Sequence, residues 1–302
     1  MKKKIIIVGG TGFLGFHLSV FFLKKKWEII SISRNRVKKE KYLKGITYIY
    51  ADISKLKLLK KKLKRHLDAS YLINAGGEVD HKNKRKVYLS HFKGVKNLAL
   101  IFAKLKLKKF IQIGSCLEYG KNKSPQYEKH YCRPLSNYAK AKYLSTNFLL
   151  KSNKKFNFQI IILRPYQVYG PNQESNRFIP IIINNCLKNK RFPCSEGIQK
   201  RDFLYIDDFV KGVFGLLTYS SMKNEIFNIG YGKPNEIRKI IIFLKNKIKK
   251  GTPELGKIKL RKEENLTTYP STKKIKKKVG WKPKVSLHDG LKKTISYYKK
   301  NQ

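Results

Sequence analysis

Residues 5–15 read IIIVGGTGFLG, an apolar run that passes directly into a glycine-bearing turn and then into the helix-forming stretch FHLSVFFLKKKWEI. Glycines stand at Gly9, Gly12 and Gly15. A glycine-lined turn between a strand and a helix lets backbone approach a pyrophosphate, while the first free N–H groups of the helix present partial positive charge. The chain therefore opens on a dinucleotide site. A second strand, Glu28 to Ser33, ends in Ser33-Arg34-Asn35-Arg36, where an NAD site would carry a carboxylate for the ribose 2′-hydroxyl. Arg34 stands there instead and can pair with a 2′-phosphate, so the expected cofactor is NADP, with NAD the alternative. Asp52, closing the stretch ITYIYAD, is read either as an acceptor for the adenine amino group or as a helix N-cap.

Apolar runs near 4–9, 28–33, 46–50, 70–74, 109–114 and 158–163 alternate with helical patterns. That alternation predicts an α/β fold, a doubly wound (Rossmann) parallel sheet with helices on both faces. After Gly170 the pattern loosens into a helix near 177–189, a strand signal at Phe203 to Ile206, and the amphipathic end VSLHDGLKKTISYYKK. The expected division is residues 1–170 as the cofactor domain, with a returning segment near 201–230. Residues 171–200 and 231–302 are then a smaller mixed α/β C-terminal lobe for substrate, covering the carboxyl edge of the sheet.

At 302 residues the chain can bury a sizeable core. Cys116, Cys132, Cys186 and Cys194 are widely spaced with no C-x-x-C, so neither a disulfide framework nor a metal site is expected, and the default location is cytoplasmic. No apolar run approaches the length of a membrane span. Lys and Arg number 69 against 19 Asp and Glu, a formal net charge of +50. A basic excess on that scale invites a nucleic-acid reading. Here the lysines are spread along the whole chain, alongside abundant Ile, Asn, Tyr and Phe. They are read as compositional bias that also attracts an anionic substrate.

Tyr138 and Lys142 stand four residues apart in SNYAKAKYLSTNFLL, hence on one helix face, where an ammonium can make the phenol a usable proton donor and acceptor. Upstream, FIQIGSCLEYG delivers Ser115 at the end of a strand. With these residues in place the chain resembles the extended short-chain dehydrogenases/reductases that act on nucleotide sugars, the NAD-dependent epimerase/dehydratase family. The resemblance spans nearly the whole length. It rests on GGTGFLG (9–15), Ala51-Asp52, NAGG (74–77), GSCLEYG (114–120), YAKAK (138–142), LRPYQVYGPNQ (163–173), KRDFLYIDD (200–208), FNIGYGKP (227–234) and GWKP (280–283).

The resemblance implies that Tyr138 is the general acid/base, that Lys142 also holds the nicotinamide ribose, and that Ser115 hydrogen-bonds the reacting sugar oxygen. Hydride would pass between nicotinamide C4 and a sugar carbon. It places the cofactor along Gly9, Thr11, Gly12, Phe13, Leu14, Gly15, Arg34, Asp52, Ile53, Asn74, Ala75, Gly76 and Pro165, besides Tyr138 and Lys142. Arg201 matches the arginine that grips the substrate diphosphate, and a planar bidentate donor fits that role. An ion pair with Asp202 or Asp207 is the alternative. Arg177 lies in the segment lining the nucleotide-sugar cleft in relatives, and Asn172 either joins it or forms a turn after Pro171. Cys116 beside Ser115 and His81 at the mouth of the site are the remaining candidate substrate contacts, the alternatives being a small buried filler and an exposed loop histidine. His91 stands where relatives carry an asparagine and is expected to brace the central helix.

Departures narrow the chemistry. Sugar dehydratases of the family follow the serine with an Asp-Glu pair, whereas Cys116 and Leu117 stand here. Glu118 comes one residue late, which on a strand would turn it to the other face. The epimerase-reductases resembling fucose synthase need a cysteine two residues after the serine, and Leu117 fills that place. What remains is simple redox at a sugar carbon. The first expectation is an NADP-dependent 4-ketoreductase of an NDP-4-keto-6-deoxyhexose, serving polysaccharide biosynthesis. A UDP-sugar 4-epimerase with tightly held NAD is the second, and an RNA-binding member of the fold the third. The intact Ser115, Tyr138 and Lys142 argue against a pure nucleic-acid partner. A homodimer is expected through the Tyr138 helix and the helix near 90–105.

Overall fold

The computed structural model describes residues 3–78, 80, 82–220, 224–260 and 265–301. Its first half runs β1 (Lys4–Val8), α1 (Phe13–Lys24), β2 (Glu28–Ser33), β3 (Ile46–Tyr50), α2 (Leu56–Leu63), β4 (Tyr71–Asn74), α3 (Lys84–Tyr88), a π-helical turn (Leu89–Lys93), α4 (Gly94–Phe102), β5 (Lys109–Ile113), α5 (Asn137–Lys151) and β6 (Gln159–Pro165). Then follow β7 (Gln167–Tyr169), α6 (Phe178–Leu187), β8 (Arg191–Pro193), β9 (Lys200–Tyr205), α7 (Ile206–Thr218), β10 (Glu225–Ile229), β11 (Pro234–Glu236), α8 (Ile237–Ile248), β12 (Thr252–Glu254), β13 (Thr267–Thr268), α9 (Lys273–Val279) and α10 (Leu287–Lys300).

The main sheet has seven strands in the order β10-β6-β5-β4-β1-β2-β3. β1 pairs in parallel with β2 on one side and β4 on the other, Val8 facing both Ile32 and Asn74. The chain thus winds outward in both directions from β1, and the reversal opens a crevice at the carboxyl ends of β1 and β4. Strands walled by helices on both faces need apolar residues at every position rather than at alternate ones. Ile5, Ile6 and Ile7 of β1 and Ile160 to Leu163 of β6 are all fully buried. Each such side chain contributes roughly 1.5–3 kcal/mol by leaving water. Lysine-rich α2 sits in the same core through Leu59 and Leu63, its lysines facing water.

Two compact units divide the chain. The first comprises residues up to Gly120, Glu128–Pro165 and Val213–Phe227. The second comprises Lys121–Tyr127, Tyr166–Gly212 and residues from Asn228 onward. The segment that returns to the first unit is Val213–Phe227, and the second unit takes up the chain again at Tyr166. In the first unit Phe214 packs on Phe21 and Phe22 of α1, and the buried Lys109 ammonium donates to the carbonyls of Leu216 and Tyr219. In the second unit β9 lies between β11 and β13 and also pairs with β7. Asp208 staples this unit. Its carboxylate accepts from the Lys284 and Val285 amides at 2.8 and 2.7 Å, and its carbonyl accepts from Trp281 Nε1 at 3.0 Å. The GWKP and IDD stretches are thus two sides of one buried joint. Among the described residues no helix is long and apolar enough to cross a membrane.

Candidate active site

The three glycines of the first turn do different work. Gly9 has φ +75°, and a Cβ there would lie 2.6 Å from Gly76 Cα, so glycine is required both by conformation and by the crossing of the β1 and β4 loops. A Cβ on Gly15 would strike the Gly9 carbonyl and lie 2.7 Å from Gly10 Cα, so this glycine seats α1 against the turn. Gly12 is different. Nothing of the protein comes closer to its Cβ position than the Gly9 oxygen at 3.4 Å. It is the N-cap of α1, with no side-chain cap and no acidic residue in the first turn. Open space above an uncapped helix N-terminus fits a dinucleotide pyrophosphate. Thr11 and Leu14 are half-buried beside it, and Phe13 is buried.

Several cofactor-line residues have structural partners as well. Asn74 is fully buried, donating to Gln112 Oε1 at 2.8 Å and accepting from the Gly76 amide at 3.3 Å, so its side chain shapes the loop that Ala75 and Gly76 form. Asp52 Oδ1 accepts from the Ser54 amide at 2.8 Å. It makes a local turn and not the N-cap of α2, a position held by Lys55. Ile53 is buried against Gly94, and its carbonyl accepts from Asn97 Nδ2 at 2.9 Å. Arg34 is not a lone cation. Its Nη2 lies 3.0 Å from Glu78 Oε2. Pro165 closes β6, half-buried.

The catalytic candidates converge within the first unit. Ser115 stands two residues past the end of β5 and caps a short 3₁₀ turn, Cys116–Tyr119. Its Oγ accepts from the Leu117 amide at 3.1 Å, leaving the hydroxyl hydrogen to donate outward. Its amide donates to Glu118 Oε1 at 2.9 Å, which completes a capping box. α5 starts at the Ser136 cap and carries Tyr138, half-buried, and Lys142, buried, on one face. The Lys142 ammonium sits 5.7 Å from the Tyr138 ring centroid and donates to the Ile113 carbonyl at 2.6 Å, two residues before Ser115. Burial draws its pKa down to about 8, with the Glu118 charge acting in the opposite direction. A lysine tuned close to neutrality can exchange a proton as well as hold charge.

On the other side of Tyr138, the His91 ring meets it edge-on at 4.9 Å. His91 lies in the π-helical turn, and its Nε2–H donates to the Glu78 carbonyl at 3.1 Å. A carbonyl can only accept, so that nitrogen carries the proton in the neutral ring. The Ser145 hydroxyl of α5 donates to the His91 carbonyl, tying the two helices together. A Cβ on Gly77 would overlap the His91 ring, so that glycine exists to admit the histidine.

Glu118 does not lie on a strand, so the expectation that a one-residue shift turns it to the opposite face does not apply. It is fully buried on the 3₁₀ turn, with Oε2 accepting from Thr146 Oγ1 at 2.8 Å, Arg164 Nη2 at 2.8 Å and Arg164 Nε at 3.1 Å. Arg164 also stacks over Tyr119 at 4.5 Å. Cys116 is buried at the head of the same turn.

The second unit holds the remaining candidates. Arg201 on β9 donates from Nη1 to the Lys200 and Leu266 carbonyls at 2.9 and 3.3 Å. The buried carboxylate of Asp202 instead accepts three backbone amides, those of Tyr231, Gly232 and Lys233, at 2.7, 2.6 and 3.1 Å. Arg177 is the N-cap residue of α6, and Phe178 beside it packs on Phe203 of β9 at 6.0 Å. Asn172 adopts φ +67°, the turn conformation. His81 lies outside the described residues.

The model of the NAD dependent epimerase/dehydratase family matches residues 5–230. The chain belongs to that family. It is 28% identical to a putative UDP-glucose 4-epimerase of Methanocaldococcus jannaschii over 98% of this chain and 99% of that one. It is 24% identical to a CDP-abequose synthase of Salmonella typhimurium, over 96% and 97%. A solved UDP-glucose 4-epimerase of Thermotoga maritima, crystallised with UDP-glucose, shares the fold with TM-score 0.90 at 24% identity, covering 99% of each chain. Family membership makes the chain an enzyme of NAD-dependent nucleotide-sugar chemistry.

Proposed function

We propose that the protein is an NAD(P)-dependent nucleotide-sugar oxidoreductase and, more narrowly, a 4-ketoreductase of an NDP-4-keto-6-deoxyhexose. The observation that supports this best is the set of groups available for proton transfer. Glu118 is occupied by Arg164, Thr146 and the Ser115 amide, so the dehydratase acid/base pair has no counterpart at 116–118. Ser115, Tyr138 and Lys142 remain, and they suffice to reduce a ketone. The cofactor, held along the Gly9–Gly15 turn, supplies the hydride. Ser115, whose Oγ accepts from the Leu117 amide, donates its hydroxyl hydrogen to the sugar oxygen. Tyr138 gives its proton to the oxygen as negative charge develops there. The Lys142 ammonium, anchored on the Ile113 carbonyl, stabilises the resulting phenolate. The resemblance alone assigns Arg201, Arg177 and Asn172 to the diphosphate and nucleotide, and Cys116, buried beside Ser115, is the proposed sugar contact of the first unit.

A second reading, a UDP-sugar 4-epimerase with tightly held NAD, uses the same three residues. One observation favours it: Glu78 neutralises part of the Arg34 charge on which an NADP preference rests. The readings separate by assay. A 4-keto-6-deoxy nucleotide sugar with NADPH or NADH, and UDP-glucose with no added cofactor, are offered in parallel. Stoichiometric oxidation of the reduced cofactor with a 6-deoxyhexose product supports the ketoreductase. Conversion of UDP-glucose to UDP-galactose without net oxidation supports the epimerase, and turnover of neither refutes both. Tyr88, Leu100 and Leu144 are apolar residues left 46, 45 and 42% exposed on α3, α4 and α5, a surface suited to a homodimer. Sedimentation equilibrium tests that assembly. A cytoplasmic location and a role in polysaccharide synthesis accord with the same reading.

A further inference from the structure

We propose that Glu78 sets which nicotinamide dinucleotide the protein prefers. It acts as a fixed counter-ion that a 2′-phosphate must share Arg34 with, and as the acceptor for a free 2′-hydroxyl. The inference rests on the cofactor reading of the glycine turn and goes beyond it. Arg34 is the first residue after β2, and Glu78 lies in the loop that follows β4. In the sheet these strands flank β1, so the 3.0 Å ion pair joins the loops at the carboxyl ends on either side of the glycine turn. The end of β2 lacks the acid that would receive a ribose hydroxyl, and the β4 loop delivers one.

The two partners are held unequally. Glu78 is 8% exposed at the side chain and Arg34 45%. Glu78 is held at both ends: its carboxylate Oε1 accepts from the Asp80 amide at 3.2 Å, while its backbone amide donates to Ser90 Oγ at 3.1 Å and its backbone carbonyl accepts from His91 Nε2 at 3.1 Å. Arg34 is tethered at Nη2 alone among the described residues, and its Nε and Nη1 are open to an incoming anion. A 2′-phosphate drawn to those donors meets the buried Glu78 carboxylate one guanidinium away, which costs affinity by like-charge repulsion. A 2′-hydroxyl meets the same carboxylate as a hydrogen-bond acceptor. Glu78 thereby moderates an arginine that alone would select NADP.

Calorimetric titration of NADP⁺ and NAD⁺ into cofactor-stripped wild type, Glu78→Gln and Arg34→Gln tests this. In Glu78→Gln the NADP⁺ dissociation constant falls by about tenfold, roughly 1.4 kcal/mol, while that of NAD⁺ rises. In Arg34→Gln the NADP⁺ constant rises by about tenfold or more with NAD⁺ little changed. Glu78→Asp keeps the charge but withdraws it from Arg34, so it moves the ratio in the direction of Glu78→Gln by a smaller step and serves if the glutamine variant does not fold. Binding that persists with an unchanged NADP⁺/NAD⁺ ratio in both Glu78 variants overturns the role of Glu78 alone. A wild type that binds neither dinucleotide overturns the cofactor reading and this inference with it.

Discussion

Replacing Gly12 and Gly15 by alanine, one at a time, separates the part of the glycine turn that builds the fold from the part that binds. At Gly15 the added methyl would overlap the Gly9 carbonyl and sit 2.7 Å from Gly10 Cα and Gly9 C. All three are backbone atoms of a turn pinned by its own crossing over Gly76, so relief requires α1 to move. The expected loss is at the upper end of overpacking penalties, about 3 kcal/mol. At Gly12 the methyl meets only the Gly9 oxygen at 3.4 Å, and φ of −80° is open to any residue. Alanine is a poorer N-cap than glycine by less than about 1 kcal/mol. The same methyl fills the space left for the pyrophosphate and removes a charge-assisted backbone hydrogen bond, about 1.5–3 kcal/mol. Gly12→Ala is therefore expected to keep its urea midpoint near wild type while cofactor binding weakens by roughly tenfold to a hundredfold. Gly15→Ala is expected to show the large shift in midpoint. Equal destabilisation of the two variants, or wild-type cofactor affinity in Gly12→Ala, refutes the division of labour.

Three further outcomes follow from the site. The folded pKa of Lys142 lies near 8, below the ordinary 10.5, so its stabilising contribution is present above the ordinary lysine value and is lost as pH falls through 8. Lys142→Met should therefore hold or raise the melting temperature at neutral pH while abolishing turnover, and wild-type kcat/KM should decline above pH 8 as the ammonium is lost. A melting temperature lowered by the methionine would contradict this. Glu118→Gln leaves Arg164 as an unpaired buried cation and should cost about 3–5 kcal/mol in urea unfolding. An unchanged midpoint with lost activity would return Glu118 to chemistry. Tyr138→Phe should lower kcat by roughly 10²–10⁴-fold with cofactor affinity unchanged, and a matching loss of cofactor binding would make Tyr138 a binding residue instead.

What the amino-acid order makes legible is whatever is local. The first six strands of the sheet follow from short isoleucine-rich runs, and the shared face of Tyr138 and Lys142 follows from a four-residue spacing on a helix begun by Ser136. What depends on distant segments meeting is not legible. Arg34 reads as a lone 2′-phosphate anchor because Glu78 is 44 residues away in the chain. The strand argument for Glu118 does not hold, because the chain leaves β5 and turns into a 3₁₀ cap, and the buried Arg164 that pairs with it comes from β6. The π-helical turn that holds His91 against Tyr138 leaves no periodic mark in five residues. The contact of Gly77 with His91 does carry a signal, since a second consecutive glycine after a strand marks close approach of another element.

The claim that Ser115, Tyr138 and Lys142 carry out redox at a sugar C4 is tested most directly by following isotope. NADPH or NADH carrying deuterium at C4 of the nicotinamide is incubated with an NDP-4-keto-6-deoxyhexose, and the product is examined by mass spectrometry and NMR. One deuterium at sugar C4, in a single configuration and absent with Tyr138→Phe, is the predicted result. Label that fails to reach C4 while the sugar is still converted would contradict the account.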